Sequence, residues 1–164
     1  MFGAIFMKKY LAIFLVLSFL LSGCVGQGRD ERPENIEKLV KEAAALVGES
    51  GEESFPTIRE KGKFYTDDTY VFVWKVEGDK ITRLVFPPDL AQEGTDVSNY
   101  RDDNNVSITN MFMAVANSDK GEGWAGEYLK INPKDNKMTK KVSYIKKVVH
   151  EGATYVVGAG YYIL

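Results

Sequence analysis

The chain has 164 residues, with 21 Lys and Arg against 23 Asp and Glu, one His and one Cys. Its formal net charge of −2 excludes the basic surface that nucleic-acid binding needs, so no nucleic-acid partner is expected. A single histidine, His150, cannot build a histidine metal cluster, and the length suits one domain with a real core but not two ordinary ones.

In chain order, the basic pair Lys8 and Lys9 precedes an apolar run from Tyr10 to Leu21, too short to cross a bilayer as an ordinary helix. Leu21-Ser22-Gly23-Cys24 then resembles the lipobox of prokaryotic lipoproteins, whose cysteine becomes the lipidated first residue of the mature protein. Residues 1–23 are therefore expected to be a lipoprotein signal peptide and Cys24 the lipidation site. The domain beyond would lie outside the cytoplasm, lipid-anchored at the cell membrane. At about 0.8 kcal/mol per buried methylene, a multi-chain anchor holds stably. Met7 is an alternative start to Met1. Lipidation would use the only thiol, leaving none for a disulfide or a metal. Residues 24–32 are polar and glycine-containing and read as a tether.

Pro33 suits a first helical turn, and Glu34 and Glu37 suit its positive end. Ile36, Leu39, Val40, Ala43, Ala44 and Val47 recur at helical spacing until Gly48, which predicts a long amphipathic helix. From Thr69 the pattern becomes extended. TYVFVWKV, the turn Glu77-Gly78-Asp79 and KITRLVFP predict a β-hairpin. Asp89 to Asn105 is polar without a period of its own, a long excursion of the kind that often carries function. Ile108, Met111, Phe112, Val115 and Ala116 predict a second, shorter helix, with Asn105 or its neighbour as N-cap. Strands from Gly123 to Ile131, Thr139 to His150 and Ala153 to Leu164 follow, joined by short turns into an antiparallel meander. The sum is an α+β domain: a long N-terminal helix packed on a five-stranded antiparallel sheet, with an inserted loop-helix cap.

This order, with GWAGEYLKINP, KKVSYIKKV and TYVVGAGYYI at its end, resembles the single Cache domain of the type 2 group, an extracellular sensor fold of PAS-like topology. The pattern Gly-Trp-x-x-x-Tyr, Asn-Pro, Lys-x-x-Tyr and Gly-x-Tyr between Gly123 and Tyr162 is the most specific part. The resemblance spans residues 33–164. It departs from the family where an acidic residue is usually followed three positions later by glycine. Here Asp102 is followed by Asp103, Asn104 and Asn105, and Asn can take the left-handed backbone that the turn needs. The resemblance implies a small organic ligand, a carboxylate or an amino-acid-like molecule, held between the sheet and the cap. Such domains usually sit in receptors; no output module is expected in this chain, so a receptor or transporter partner is expected to carry the signal, and the resemblance leaves room for a homodimer through the first helix.

Ligand-binding candidates follow. Strand alternation puts Trp124, Gly126 and Tyr128 on one face, an aromatic pair flanking a recess. Lys141 and Tyr144 fall on opposite faces of a regular strand, so both meet one ligand only at a bulge or strand end. Tyr100 and Arg101 lie in the excursion, where an Arg fork would suit a carboxylate. Each has a purely structural alternative: packing for Trp124, an internal hydroxyl partner for Tyr128 and Tyr144, and a solvated loop charge for Arg101.

The cluster from Asp96 to Asn105 lacks the glycine and terminal glutamate of a calcium loop and reads as turn chemistry, so no metal is expected. Gly158 and Gly160 fall in a strand and read as close-approach positions rather than a phosphate loop. No acidic pair is framed by apolar sequence, so no catalytic residue and no cofactor is expected, and the protein is not expected to be an enzyme. The expected function is an extracytoplasmic, membrane-anchored, sensor-type ligand-binding lipoprotein. The alternative is a cell-envelope protein-interaction lipoprotein whose pocket is filled by its own side chains.

Overall fold

The computed structural model describes residues 30–163. The expected signal peptide, Cys24 and most of the tether lie outside the described residues, as does Leu164. Residues from Glu31 onward form one compact unit. No helix among the described residues is long and apolar enough to cross a membrane.

Helix α1 (Arg32–Ser50) begins with Pro in its first turn and buries Ile36, Val40, Ala43, Ala44 and Val47. The helix runs past Gly48 and ends at Gly51, whose positive φ of 52° terminates it. A 3-10 turn and the short helix α2 (Phe55–Arg59) follow, a segment without a clear period in the sequence. Strands β1 (Val71–Glu77) and β2 (Lys80–Val85) form the expected hairpin around Gly78. The cap helix α3 (Ile108–Ala116) is N-capped by Ser107, whose hydroxyl accepts the Asn110 amide. Asn105 instead takes the left-handed conformation at φ 63° in the preceding turn.

The last strands are β3 (Glu122–Trp124), β4 (Tyr128–Asn132), β5 (Lys137–His150) and β6 (Ala153–Ile163). The sheet runs β2-β1-β6-β5-β3, and β4 also pairs with β5. All of these pairings are antiparallel. The single strand expected from Gly123 to Ile131 is thus two pieces on one neighbour. Gly123, at φ 156°, and the non-strand residues 125–127 break it.

The two sheet faces carry separate cores. On one, α1 packs against Val71, Val73, Tyr144, Tyr155, Val157 and Ala159. On the other, α3 and the excursion cover Phe72, Trp74, Ile145 and Val156. Alternation along β1, β5 and β6 produces this two-sided burial, which a sheet with helical cover on both faces requires. Gly158 and Gly160 occur where the cap face is crowded. A Cβ at Gly158 would collide with the Phe72 ring, and one at Gly160 with the Val142 carbonyl oxygen.

Candidate functional site: an aromatic recess ringed by cations

The excursion is not a free loop. Its backbone runs along the edge of β2, with Gly94 donating to the Arg83 carbonyl at 2.7 Å and Val97 to the Ile81 carbonyl at 2.8 Å. Asp102 ties it to β4: its carboxylate accepts the amides of Asn104, Val106 and Leu129 at 3.0, 2.8 and 2.8 Å. Burial works to raise the pKa of Asp102, but the amide donors outweigh it and hold the carboxyl below its usual range. Asp102 therefore fastens the excursion to the sheet through turn and backbone hydrogen bonds.

Between cap and sheet lies a recess lined by aromatic and apolar side chains, among them Tyr70, Phe72, Trp74, Phe112 and Tyr128. Phe72 and Phe112 stack with ring centres 5.5 Å apart, and Tyr128 meets Phe112 edge-on at 5.5 Å. These rings leave about 20 Å³ free, room for about one water molecule. Outside lies a vestibule of about 330 Å³, which shares Tyr70, Phe86 and Lys130 with the recess. The recess is nearly filled by its own side chains, while the adjoining vestibule has room for a small molecule.

The charged groups that line the recess are cationic. Arg83 of β2 is only 4% exposed and donates to the Gln92 side chain. Its guanidinium lies 4.8 Å from the Phe86 ring centre and 5.0 Å from that of Tyr100. Burial draws its pKa below the ordinary arginine value, yet an arginine so shifted stays charged. Lys130 of β4 donates to the Tyr100 hydroxyl at 2.9 Å and lies 4.8 Å from the Phe86 ring centre. Behind the wall, Lys141 of β5 is fully buried, with its Nζ 3.8 Å from the Tyr70 ring centre and 5.1 Å from that of Tyr162. Among the described residues that nitrogen finds no hydrogen-bond partner. Among the described residues, no acidic one lines the inner recess. Asp89 at the vestibule acts on Arg83 only through its charge and through Gln92, which donates to it at 2.9 Å.

Three candidates from the sequence come together here. Tyr100 and Tyr128 line the recess, and Lys141 pairs directly across from Tyr128. The Tyr128 hydroxyl is 2.7 Å from Ser143 Oγ, and burial pushes its pKa far up, so it remains a neutral phenol. The other three fall elsewhere. Arg101 is exposed and donates to the Asn105 carbonyl at 2.9 Å. Trp124 pairs across from Tyr144, and the two rings meet edge-on 5.5 Å apart on the α1 side of the sheet. Trp124 and Tyr128 do not share a face, because the break at residues 125–127 resets the alternation. Lys141 and Tyr144 do lie on opposite faces, as a regular strand requires.

Arg83 and Lys130 did not stand out in the sequence. A signal existed for both: Arg83 shares the inward face of β2 with Ile81, and Lys130 shares that of β4 with Tyr128.

A family model described as a Cache domain matches residues 33–164. The chain belongs to the Cache domain family. Solved Cache domains have the same fold, an N-terminal helix on an antiparallel sheet. A methyl-accepting chemotaxis protein from Vibrio parahaemolyticus superposes with a TM-score of 0.65 at 15% identity, over 82% of this chain and 90% of that one. A Cache chemosensory domain studied for carboxylic acid recognition gives 0.64 at 19%, over 80% and 92%. The periplasmic sensor domain of a chemotaxis protein gives 0.59 at 23%, over 80% and 90%. Cache domains are extracytoplasmic ligand-binding sensor domains. At these identities the likeness carries the fold, and the ligand must be argued from this chain's own residues.

Proposed function

We propose that this Cache domain is a sensor for a small carboxylate, bound between the aromatic recess and its vestibule with the anion facing Arg83, Lys130 and Lys141. The observation that carries this reading is that Arg83 and Lys130 line a recess to which no acidic residue among the described residues contributes, with Lys141 behind the Tyr70 ring of the same lining. Arg83 is buried with no carboxylate in direct contact, which is costly, and an incoming anion recovers part of that cost. Arg83 offers a planar fork to a carboxylate, and the Tyr100 and Tyr128 hydroxyls border the same space. Phe72, Trp74 and Phe112 would take a short apolar tail. Carboxylic acid recognition by a Cache domain of the same fold supports the ligand class.

Leu21 to Cys24 support lipid anchoring at Cys24, which would hold the domain at the outer face of the cell membrane. From there the cap, pinned by Asp102, would pass ligand occupancy to a receptor or transporter partner, or to a second copy through α1. Coupling requires that the ligand prefer one of two cap positions.

A specific observation favours a second reading. The inner recess holds only about 20 Å³, so the protein could instead be a cell-envelope interaction lipoprotein with a filled pocket. A thermal-shift screen against acetate, propionate, pyruvate and benzoate separates the two. A ligand at a hundred times its Kd adds about 2.7 kcal/mol, and the melting temperature rises. A flat response to every carboxylate favours the filled-pocket protein.

A further inference from the structure

Lys141 is the one buried side-chain polar atom among the described residues that lacks a hydrogen-bond partner. Its surroundings are set by four elements. β4 contributes Tyr128 directly across the strand pair and Lys130 on the same face. β6 contributes Tyr162, the segment entering β1 contributes Tyr70, and β2 with the cap contributes Arg83 and Tyr100 at the recess beyond. All are phenols or cations. The nearest ring faces favour an ammonium, but a π-face offsets only a small part of the cost of removing that charge from water. Burial, and after it repulsion from Lys130, brings the amine well below the usual lysine value. The neighbouring phenols cannot supply a negative charge. Burial pushes Tyr162 up to about 12, and Tyr70 is also raised well above its ordinary value by burial. In the empty protein burial without a hydrogen-bond partner therefore disfavours the charged form of Lys141, which sits behind the Tyr70 ring that both lines the recess and covers Nζ.

An anion entering that recess changes the balance, because opposite charges in a water-poor site act strongly on one another. We propose that Lys141 makes ligand binding proton-linked, so that the site takes up one proton from solution with each carboxylate it binds. This rests on the carboxylate reading above. The bound pair is an ammonium and a carboxylate, and the net charge brought into the domain is zero. The sign follows from linkage. Between the pKa of Lys141 in the empty site and its higher value in the occupied site, affinity rises about tenfold for each unit by which pH falls. Outside that window affinity is flat. The site thus reports an acid as its anion plus a proton, and responds to external acidity as well as to concentration.

The test is calorimetric titration of propionate into the full-length chain in detergent at several pH values from about 6 to 9, each in two buffers of different ionisation enthalpy. The expected result is uptake of about one proton per propionate in the wild type and none in Lys141→Met. Lys141→Arg keeps a permanent charge, and it should bind without proton uptake if Met at this buried position fails to fold. Propionate binding with no buffer dependence in the wild type overturns the linkage and leaves the carboxylate reading standing. Failure of acetate, propionate, pyruvate and benzoate to bind at all overturns both. Lysine side-chain NMR of the empty protein gives a second readout: one amine should titrate far below the others, and its absence defeats the proposal without any ligand.

Discussion

Asp102 Oδ2 accepts the Leu129 amide at 2.8 Å, joining the cap loop to the start of β4 between the two recess residues Tyr128 and Lys130. With Oδ1 holding the amides of Asn104 and Val106, one carboxylate fixes both the turn at Asn105 and the position of the cap over the site. Asp102→Ala should cost about 2–4 kcal/mol, since hydrogen bonds to a charged group are worth roughly 1.5–3 kcal/mol each and are not fully additive. Because its folded pKa is depressed, its contribution is complete above the unfolded Asp value of about 3.9 and is lost as pH falls through the folded one. Denaturant midpoints of wild type and variant should therefore differ at neutral pH and converge once the pH falls below the depressed folded pKa. A gap that persists in acid would show that packing, not the carboxylate, matters here.

Tyr128 and Ser143 form a buried hydroxyl pair at 2.7 Å on the recess wall. Tyr128→Phe should cost about 1–2 kcal/mol by leaving Ser143 unsatisfied. The double change with Ser143→Ala should recover part of this, giving a coupling of about 0.5–1.5 kcal/mol in a double-mutant cycle read by chemical denaturation. Strict additivity would mean that the two hydroxyls are not partners in solution.

Gly158 and Gly160 differ in what a methyl group would strike. At Gly158 the obstacle is the end of the Phe72 side chain, which can be shortened, while at Gly160 it is the Val142 backbone. Gly158→Ala should destabilise by about 1–3 kcal/mol, with partial rescue by Phe72→Leu. Gly160→Ala should be worse, and no side-chain change should restore it. Melting temperatures of the three variants decide the matter.

Arg83→Met should weaken carboxylate binding about ten- to a hundredfold, the loss of one charge-assisted hydrogen bond at roughly 1.5–3 kcal/mol. Arg101→Met, exposed and bound to its own loop, should leave affinity nearly unchanged. Phe112→Ala should shift preference towards longer acids, because the Phe72–Phe112 stack fills the inner end of the recess. Titration of each variant with acetate, propionate and benzoate reads all three effects. Equal losses for Arg83→Met and Arg101→Met would move the anion site to the cap surface.

The sequence by itself determined the elements whose pattern is local. The apolar period of α1, the alternation of β1 and β6, and the Gly78 and Glu151-Gly152 turns each follow from residues within a few positions of one another. The left-handed Asn105 belongs with them, since a small amide is what that turn admits. Only the tertiary structure decided the site. Arg83 and Lys130 are far apart in the chain and sit on strands at opposite sides of the sheet path, and the curl of the sheet beneath the cap brings them over the same Phe86 and Tyr100 rings. The break between β3 and β4 likewise sent Trp124 to the helix side and kept Tyr128 at the recess. A period of two reports which face a residue takes only while the strand is unbroken, and it reports nothing about what the opposite wall brings to meet it.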